Sequence, residues 1–147
     1  MKTVVSSFRD LRVWQAAMNL VEQVYGLTQT FPKHELYGLA GQMQRAAVSI
    51  PSNIAEGHTR EHTREYVQHI SIAQASLAEL QTQLEIAVRL RYLSDDRSIG
   101  VIDGISSLGR QLYALRNALQ RRSGGGSQDQ SSSTRPLTPD PRPQQPA

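Results

Sequence analysis

Cysteine is absent from this 147-residue sequence, so the chain forms neither disulfides nor thiolate metal sites. The absence of cysteine is also in keeping with a reducing compartment. There is no apolar run of about eighteen residues, the length a membrane-spanning helix needs. The first residues contain no apolar stretch of signal-peptide length either. We therefore expect a cytoplasmic protein with no attachment to a membrane.

Lysine is nearly absent as well, since only Lys2 and Lys33 occur among the 16 basic residues and the rest are arginines. The net charge is +3 and the isoelectric point about 9.6, far from the charge density of a histone-like protein. The planar guanidinium of arginine matches phosphate and carboxylate groups, so this preference suits RNA or an acidic partner. A genome rich in GC, which favours arginine codons, is the alternative explanation.

Apolar residues in the second half of the chain recur in alternating steps of three and four, which is the spacing of a heptad seam. Two seams of this kind predict helices over about 62–93 and 95–121. The connection between them is short and offers Ser94 as an N-cap, so the two helices are expected to be antiparallel neighbours. The seams consist of Tyr66, Ile70, Ala73, Leu77, Leu80, Leu84 and Ala87, and of Val101, Ile105, Leu108, Leu112, Leu115 and Leu119.

Two further amphipathic helices are predicted upstream. The one that follows Pro32 in the sequence, the second helix of the chain, begins near Glu35, is kinked at Pro51, and ends with Gly57 as its C-cap. The first covers about 8–30 and ends before Pro32. The four segments together predict an all-α fold, an antiparallel up-down four-helix bundle over residues 1–122. The apolar face predicted for the first helix consists of Leu11, Trp14, Met18, Val21 and Tyr25.

The composition changes after Arg122 to glycine, serine, glutamine, threonine and proline. Five of the 7 prolines lie at position 136 or later, and Leu137 is the one large apolar residue after Leu119. Such a segment buries too little apolar surface to offset the entropy lost on ordering. Residues 123–147 are therefore predicted to be a disordered Gly/Ser/Gln/Pro-rich tail with a passive role.

The chain contains six short motifs: FRDLRVWQ at 8–15, TFP at 30–32, ELYGL at 35–39, RAAVSIPSNIAEG at 45–57, SLAEL at 76–80 and YL at 92–93. Together they resemble a bacterial family of four-helix bundle proteins that are often encoded in intervening sequences of large-subunit ribosomal RNA genes. This resemblance implies a ring-shaped homopentamer without enzymatic activity. The fold is also similar to that of the accessory proteins of diversity-generating retroelements, which are basic pentamers that work with a reverse transcriptase and its RNA. The chain departs from the family pattern in its long tail and at Arg91, where members usually carry glycine.

The segment around Pro51 carries an unusual group of polar and small residues. In the structural interpretation, which we favour, Ser49 and Asn53 supply the backbone hydrogen bonding that Pro51 disrupts, while Glu56 pairs with an arginine. In the functional interpretation, the kink exposes these polar groups to a partner or ligand. The residues of this motif are Arg45, Ser49, Pro51, Asn53, Glu56 and Gly57.

Three histidines, His58, His62 and His69, cluster with Glu61 and Glu65 at spacings that a metal site on a helix face could use. The zinc-hydrolase signature, with glutamate directly after the first histidine, is missing. Di-iron bundles need Glu-x-x-His motifs on two helices, which the chain lacks. We interpret the cluster as a solvated helix start with His58 in a loop, and predict neither a metal nor a cofactor. No nucleophile–base pair or phosphate loop can be named, so an enzyme is not expected.

Glycines and apolar residues outside the seams bear on oligomerisation. Three glycines, which have low helix propensity, lie within the predicted fourth helix: Gly100, Gly104 and Gly109. They indicate either close packing at a subunit interface or a helix that starts late or frays. Apolar residues off the principal seam widen the apolar surface, in agreement with oligomerisation. These residues are Val67, Ile72 and Ile86.

Arginines near the helix ends are the predicted nucleic-acid-binding residues. Each could instead pair with an acid at helical spacing, as Glu61 with Arg64 or Glu85 with Arg89 would. In a pentamer the charge of +3 per chain becomes about +15, and a ring of that charge attracts phosphate backbones. No motif interleaves arginines with aromatic residues, so weak sequence preference is expected. The eight residues are Arg9, Arg12, Arg60, Arg64, Arg110, Arg116, Arg121 and Arg122.

The predicted function is a non-enzymatic, homo-oligomeric adaptor with a basic surface. It would bind RNA, DNA or a nucleoprotein such as a reverse transcriptase. The alternative is a structural protein–protein interaction module that does not bind nucleic acid.

Overall fold

The computed structural model describes residues 7–125. In this part the chain forms four α-helices and no strands, so the all-α prediction is confirmed. The last helix continues three residues beyond the predicted end of the bundle at residue 122, and the predictions for 126–147 lie outside the described residues. The helices are α1 (Arg12–Thr28), α2 (Leu39–His58), α3 (Thr63–Arg89) and α4 (Asp95–Gly125), with 3₁₀ turns at Phe8–Asp10 and Lys33–Glu35.

Each helix packs against two neighbours, in the cyclic order α1, α2, α3, α4 and back to α1. Contacts between α2 and α3 join Ser49 to Ser76 and Asn53 to His69, so residue numbers rise along one helix as they fall along the other. At the other three pairs of neighbouring helices, residue numbers also rise along one helix as they fall along the other. The described chain is therefore an up-down-up-down four-helix bundle with antiparallel neighbours.

Both long heptad seams face the core as predicted. Their residues are buried apart from Tyr66 and Leu115, which are half-buried. The face predicted for α1 is only partly right. Leu11, Trp14 and Val21 are half-buried against the core, whereas Met18 and Tyr25 are exposed. Two apolar stripes with the same residue spacing run side by side along α1, and the predicted face corresponds to the stripe with the larger side chains. The stripe that enters the core consists of Val13, Ala17, Leu20, Val24 and Leu27.

Gly57 is a packing residue and not the predicted C-cap. Helix α2 continues to His58, and no glycine in the described residues has a positive φ. A Cβ atom at Gly57 would lie 2.9 Å from the Cβ of His69 and 2.9 Å from Cδ1 of Tyr66. Gly57 is therefore required because α2 and α3 approach each other closely here. The prediction that His58 lies in a loop is also wrong, because His58 is the last residue of α2.

Helix α3 ends in a Schellman motif at the position where the family pattern has glycine. Arg91 has a φ of 62°, in the left-handed region. The N–H of Tyr92 donates to the carbonyl of Ala87, and the N–H of Arg91 donates to that of Val88, which is the bonding pattern of this motif. Glycine is preferred at such a position because it has no Cβ to clash. The chain therefore holds an arginine in a strained conformation here.

Helix α4 begins at Asp95, as predicted, so a late start does not explain its glycines. A Cβ at Gly104 would lie 3.2 Å from Oε1 of Gln23 on α1, and one at Gly109 would lie 3.6 Å from Cδ2 of Leu77 on α3. These two glycines accordingly face neighbouring helices of the same chain. Gly100 is exposed, and a Cβ there would meet nothing within 4 Å.

Candidate nucleic-acid interface

The up-down topology brings six of the eight predicted arginines to one end of the bundle, here called the arginine end. At this end α1 and α3 begin and α2 and α4 finish. Two helix N-termini and two C-termini meet there, so the helix dipoles oppose one another and side chains determine the charge. The six are Arg9, Arg12, Arg60, Arg64, Arg121 and Arg122, and the acids nearby are Asp10, Glu56, Glu61 and Glu65.

The arginine end therefore has a surplus of two positive charges, with the histidines counted as neutral. All six guanidinium side chains are exposed. Within residues 7–125 none of them forms an ion pair with a carboxylate. The predicted pair of Glu61 with Arg64 is thus not formed, whereas that of Glu85 with Arg89 is confirmed at 2.8 Å. Guanidinium groups without acidic partners keep their N–H donors available for phosphate oxygens.

Aromatic rings accompany these arginines. The guanidinium carbon of Arg9 lies 4.8 Å from the centre of the Phe8 ring, and Phe8 packs against Trp14 at 5.4 Å. Tyr66 is half-buried between the helix ends, where burial raises its pKa and the positive charge of Arg122 partly lowers it. The arginine end thus combines cationic groups with aromatic surface, although no contiguous motif in the sequence indicates this.

The other two predicted arginines lie farther along α4. Arg116 is half-buried, its Nη1 donates to Oε1 of Gln74 on α3 at 3.3 Å, and its Nε is buried without a hydrogen-bond partner. Arg110 is exposed at the middle of the helix. The predicted set is therefore divided into six residues at one end and two on the side of the bundle.

The motif around Pro51 forms a polar cluster between α2 and α3, close to the arginine end. Nδ2 of Asn53 donates to the Ser49 carbonyl at 2.8 Å and to its Oγ at 3.1 Å. Oδ1 of Asn53 lies 3.1 Å from Nδ1 of His69, so this ring nitrogen is the donor of the contact. The hydroxyls of Ser49 and Ser76 are 2.8 Å apart. Asn53 and Ser49 accordingly connect the two helices.

Two details of the structural interpretation need correction. In helical bonding, the carbonyl that Pro51 leaves without a donor is that of Ala47, four residues earlier. The amide of Asn53 instead reaches the Ser49 carbonyl, so it does not replace the missing bond. Glu56 lies 3.6 Å from Nδ1 of His69, so its predicted pairing with an arginine is wrong.

The remaining motif residues lie at the margins of this cluster. Pro51 is buried, and α2 continues through it. Arg45 is exposed, about two helical turns before Asn53. In residues 7–125 no three histidine, aspartate or glutamate side chains are grouped as metal ligands would be, and no helix there has the length and apolar character of a bilayer span.

Two different apolar grooves lie on opposite sides of the bundle. One, of about 300 Å³, runs between α1 and α2, and the other, of about 230 Å³, runs between α3 and α4. The cyclic order of the helices places these two helix pairs on opposite sides. The first groove is lined by Trp14, Met18, Val21, Val48, Pro51, Ser52 and Ala55; the second by Gln81, Leu84, Glu85, Val88, Asp95, Ser98 and Ile102.

These features define an all-α four-helix bundle protein with a basic end. A family model described as the 23S rRNA-intervening sequence protein matches residues 9–114. The chain belongs to this family, as its motifs indicated.

A solved structure supports the fold independently. It is a protein of unknown function from the S23 ribosomal protein family of Bacteroides thetaiotaomicron, similar to this chain with a TM-score of 0.67. The two are 16% identical, over 71% of this chain and 95% of that one. At this identity the likeness concerns the fold alone. A comparison with curated proteins gives no match.

Proposed function

We propose that this protein is a non-enzymatic, homo-oligomeric adaptor whose arginine end binds RNA. The observation that carries the proposal is the set of six exposed arginines at one end of the bundle, none of which pairs with an acid in the described residues. Exposed guanidinium groups bind phosphate oxygens through charge-assisted hydrogen bonds. DNA is the second ligand to be compared.

The test is a filter-binding titration with structured RNA at two salt concentrations. The wild type is compared with a variant in which Arg60, Arg64, Arg121 and Arg122 are changed to Gln. A control variant removes the same charge at the opposite end, through Lys33→Gln, Arg89→Gln, Arg91→Gln and Arg97→Gln. We expect the first variant to bind far more weakly and the control to resemble the wild type. Failure of the wild type to bind RNA at low salt would refute the proposal.

We further propose that the oligomer is the homopentameric ring that the family resemblance implied. The two apolar grooves support this assembly because they differ from each other and lie on opposite sides of the bundle. A contact between unlike surfaces is heterologous and gives a ring when the rotation between subunits closes, whereas a two-fold dimer uses the same surface twice. Light scattering should give a mass of about 82 kDa, five times the 16.3 kDa of the chain. A mass of one chain would refute the ring.

A bend of α2 at Pro51 belongs to the same proposal. Proline removes a helical hydrogen bond and its ring presses on the preceding turn. Pro51 lines the groove between α1 and α2, so a bend there would shape the surface that a second subunit contacts. An experimental structure in which the α2 axis is straight through Pro51 would contradict this part.

A nucleoprotein such as a reverse transcriptase is the partner class that fits an adaptor with both a basic end and apolar surfaces.

The second candidate function is a protein–protein interaction module without nucleic acid. It is favoured by exposed apolar side chains outside the helices at the opposite end, namely Leu36 and Tyr37. A pull-down that still recovers a partner after nuclease treatment, together with failure to bind RNA, would favour this second function.

A further inference from the structure

The outer surface of α4 carries an exposed tyrosine between two arginines. Tyr113 has 64% of its surface exposed, although tyrosines usually bury more of their ring. Arg110 and Arg116 lie three residues before and after it, and residues three apart are neighbours on a helix surface. Arg110 is exposed, whereas Arg116 is half-buried and donates to Gln74 on α3. The buried seam of α4 lies on the other side, so no residue of the core requires an aromatic ring here.

The surroundings of Tyr113 are positive along most of α4. From Gly104 to Gly125 the helix contains four arginines and no acidic residue. Arg121 follows Arg110 by eleven residues, or about three turns, and therefore returns to the same side of the helix. The positive surface around Tyr113 is thus continuous with the arginine end.

We propose that this face of α4 binds a single-stranded segment of RNA, with the Tyr113 ring stacked on an unpaired base and Arg110 on a neighbouring phosphate. The Cα atoms of Arg110 and Tyr113 are about 4.5 Å apart along the helix axis. An aromatic face with adjacent cations is the combination with which proteins bind single strands. Bases inside a duplex are already stacked on one another, so no base face is free there to stack on the Tyr113 ring.

This inference rests on the proposed RNA-binding function and makes it more specific. It also corrects the statement that the sequence contains no motif of interleaved arginine and aromatic residues, since the two kinds of residue alternate here at helical spacing. The preference for unpaired bases is one of structure, because every base has a face that can stack. Weak dependence on base identity therefore remains expected.

The test measures fluorescence anisotropy with a labelled single-stranded RNA of about twelve nucleotides and with the blunt duplex of the same sequence. Tyr113→Leu removes the aromatic face at an exposed position, while Tyr113→Phe retains it. Tyr37→Leu is the matched control, because Tyr37 is 90% exposed at the opposite end of the bundle. We expect Tyr113→Leu to raise the Kd for the single strand by about fivefold to 150-fold, the effect of losing one stacked base.

Tyr113→Phe and Tyr37→Leu should leave this Kd unchanged, and Tyr113→Leu should leave the Kd for the duplex unchanged. An unchanged Kd of Tyr113→Leu for the single strand would refute the stacking proposal while leaving RNA binding intact. Failure of the wild type to bind either RNA at low salt would refute the RNA-binding function itself. Light scattering of Tyr113→Leu should give the wild-type mass, and a changed mass would make Tyr113 a subunit contact and overturn the inference.

Discussion

The replacement of Gly57 by alanine tests the close approach of α2 and α3 most sharply. Two effects oppose each other. Alanine stabilises a helix by about 1 kcal/mol relative to glycine, yet its methyl group would lie 2.9 Å from the Cβ of His69 and from Cδ1 of Tyr66. The Cβ of His69 is attached directly to the backbone, so it moves only if α3 moves. Such overpacking costs about 1–3 kcal/mol, and displacing α3 also weakens the hydrogen bond between Asn53 and His69.

The packing cost is expected to exceed the gain in propensity, so Gly57→Ala should lower the free energy of unfolding by up to about 2 kcal/mol. Gly100→Ala is the matched control, because an added Cβ meets nothing within 4 Å there and should stabilise by about 1 kcal/mol. Urea unfolding followed by circular dichroism at one protein concentration gives both values, since oligomer stability depends on concentration. Equal stabilisation by the two substitutions would refute the reasoning about Gly57.

Three further predictions concern other positions in the same region or at the end of α3. Arg91→Gly should raise the stability by about 1 kcal/mol, because it relieves a left-handed conformation; a lower melting temperature in a thermal scan would contradict this. Asn53→Ala should lower the stability by about 1–3 kcal/mol, since it leaves partners in Ser49 and His69 unsatisfied; an unchanged melting temperature with loss of partner binding would instead support the functional interpretation of the motif. Burial raises the pKa of Tyr66 above its ordinary value of 10.0, so its contribution to stability is complete below about pH 10 and is lost as the pH rises through the folded pKa. Tyr66→Phe should therefore reduce the alkaline loss of stability in urea titrations above that pH, and identical pH profiles would count against it.

The buried face of a helix was predictable where the spacing of apolar residues allowed only one such face. The seams of α3 and α4 each contain one unbroken heptad stripe, and both stripes enter the core. Helix α1 carries two stripes of equal period, so spacing alone could not decide between Val13 and Trp14 as the residue that faces inward. That choice depends on how α1 packs against α2 and α4, which local sequence does not contain.

Glycine roles were the least predictable part of the fold. Gly57 has the sequence context of a helix end, and only the distance between α2 and α3 shows why a side chain is excluded. The resemblance shows only that Arg91 stands where glycine is expected, whereas the physical meaning of this departure is the positive φ of a Schellman motif. In both cases the decisive quantity is a backbone geometry that one sequence does not reveal.

The arginines of the candidate interface could be identified from the sequence, but their grouping could not. Arg9 and Arg122 are separated by almost the whole described chain, and the up-down topology alone brings them to one end. The spacing of Tyr113 from its two neighbouring arginines was visible in the sequence. Its importance appears only when the exposure of the ring and the absence of acids from the later part of α4 are considered together.

The central claim is tested most directly by the salt dependence of RNA binding by the two charge-matched variants. Binding constants measured over a range of salt concentrations give a slope whose magnitude is about 0.7–0.9 for each phosphate group that the protein neutralises. The account predicts a slope reduced by about 3 for the variant lacking Arg60, Arg64, Arg121 and Arg122, and a wild-type slope for the control that removes four cations at the opposite end. Equal reductions in both variants would show that binding depends on net charge alone and would contradict a binding surface at the arginine end.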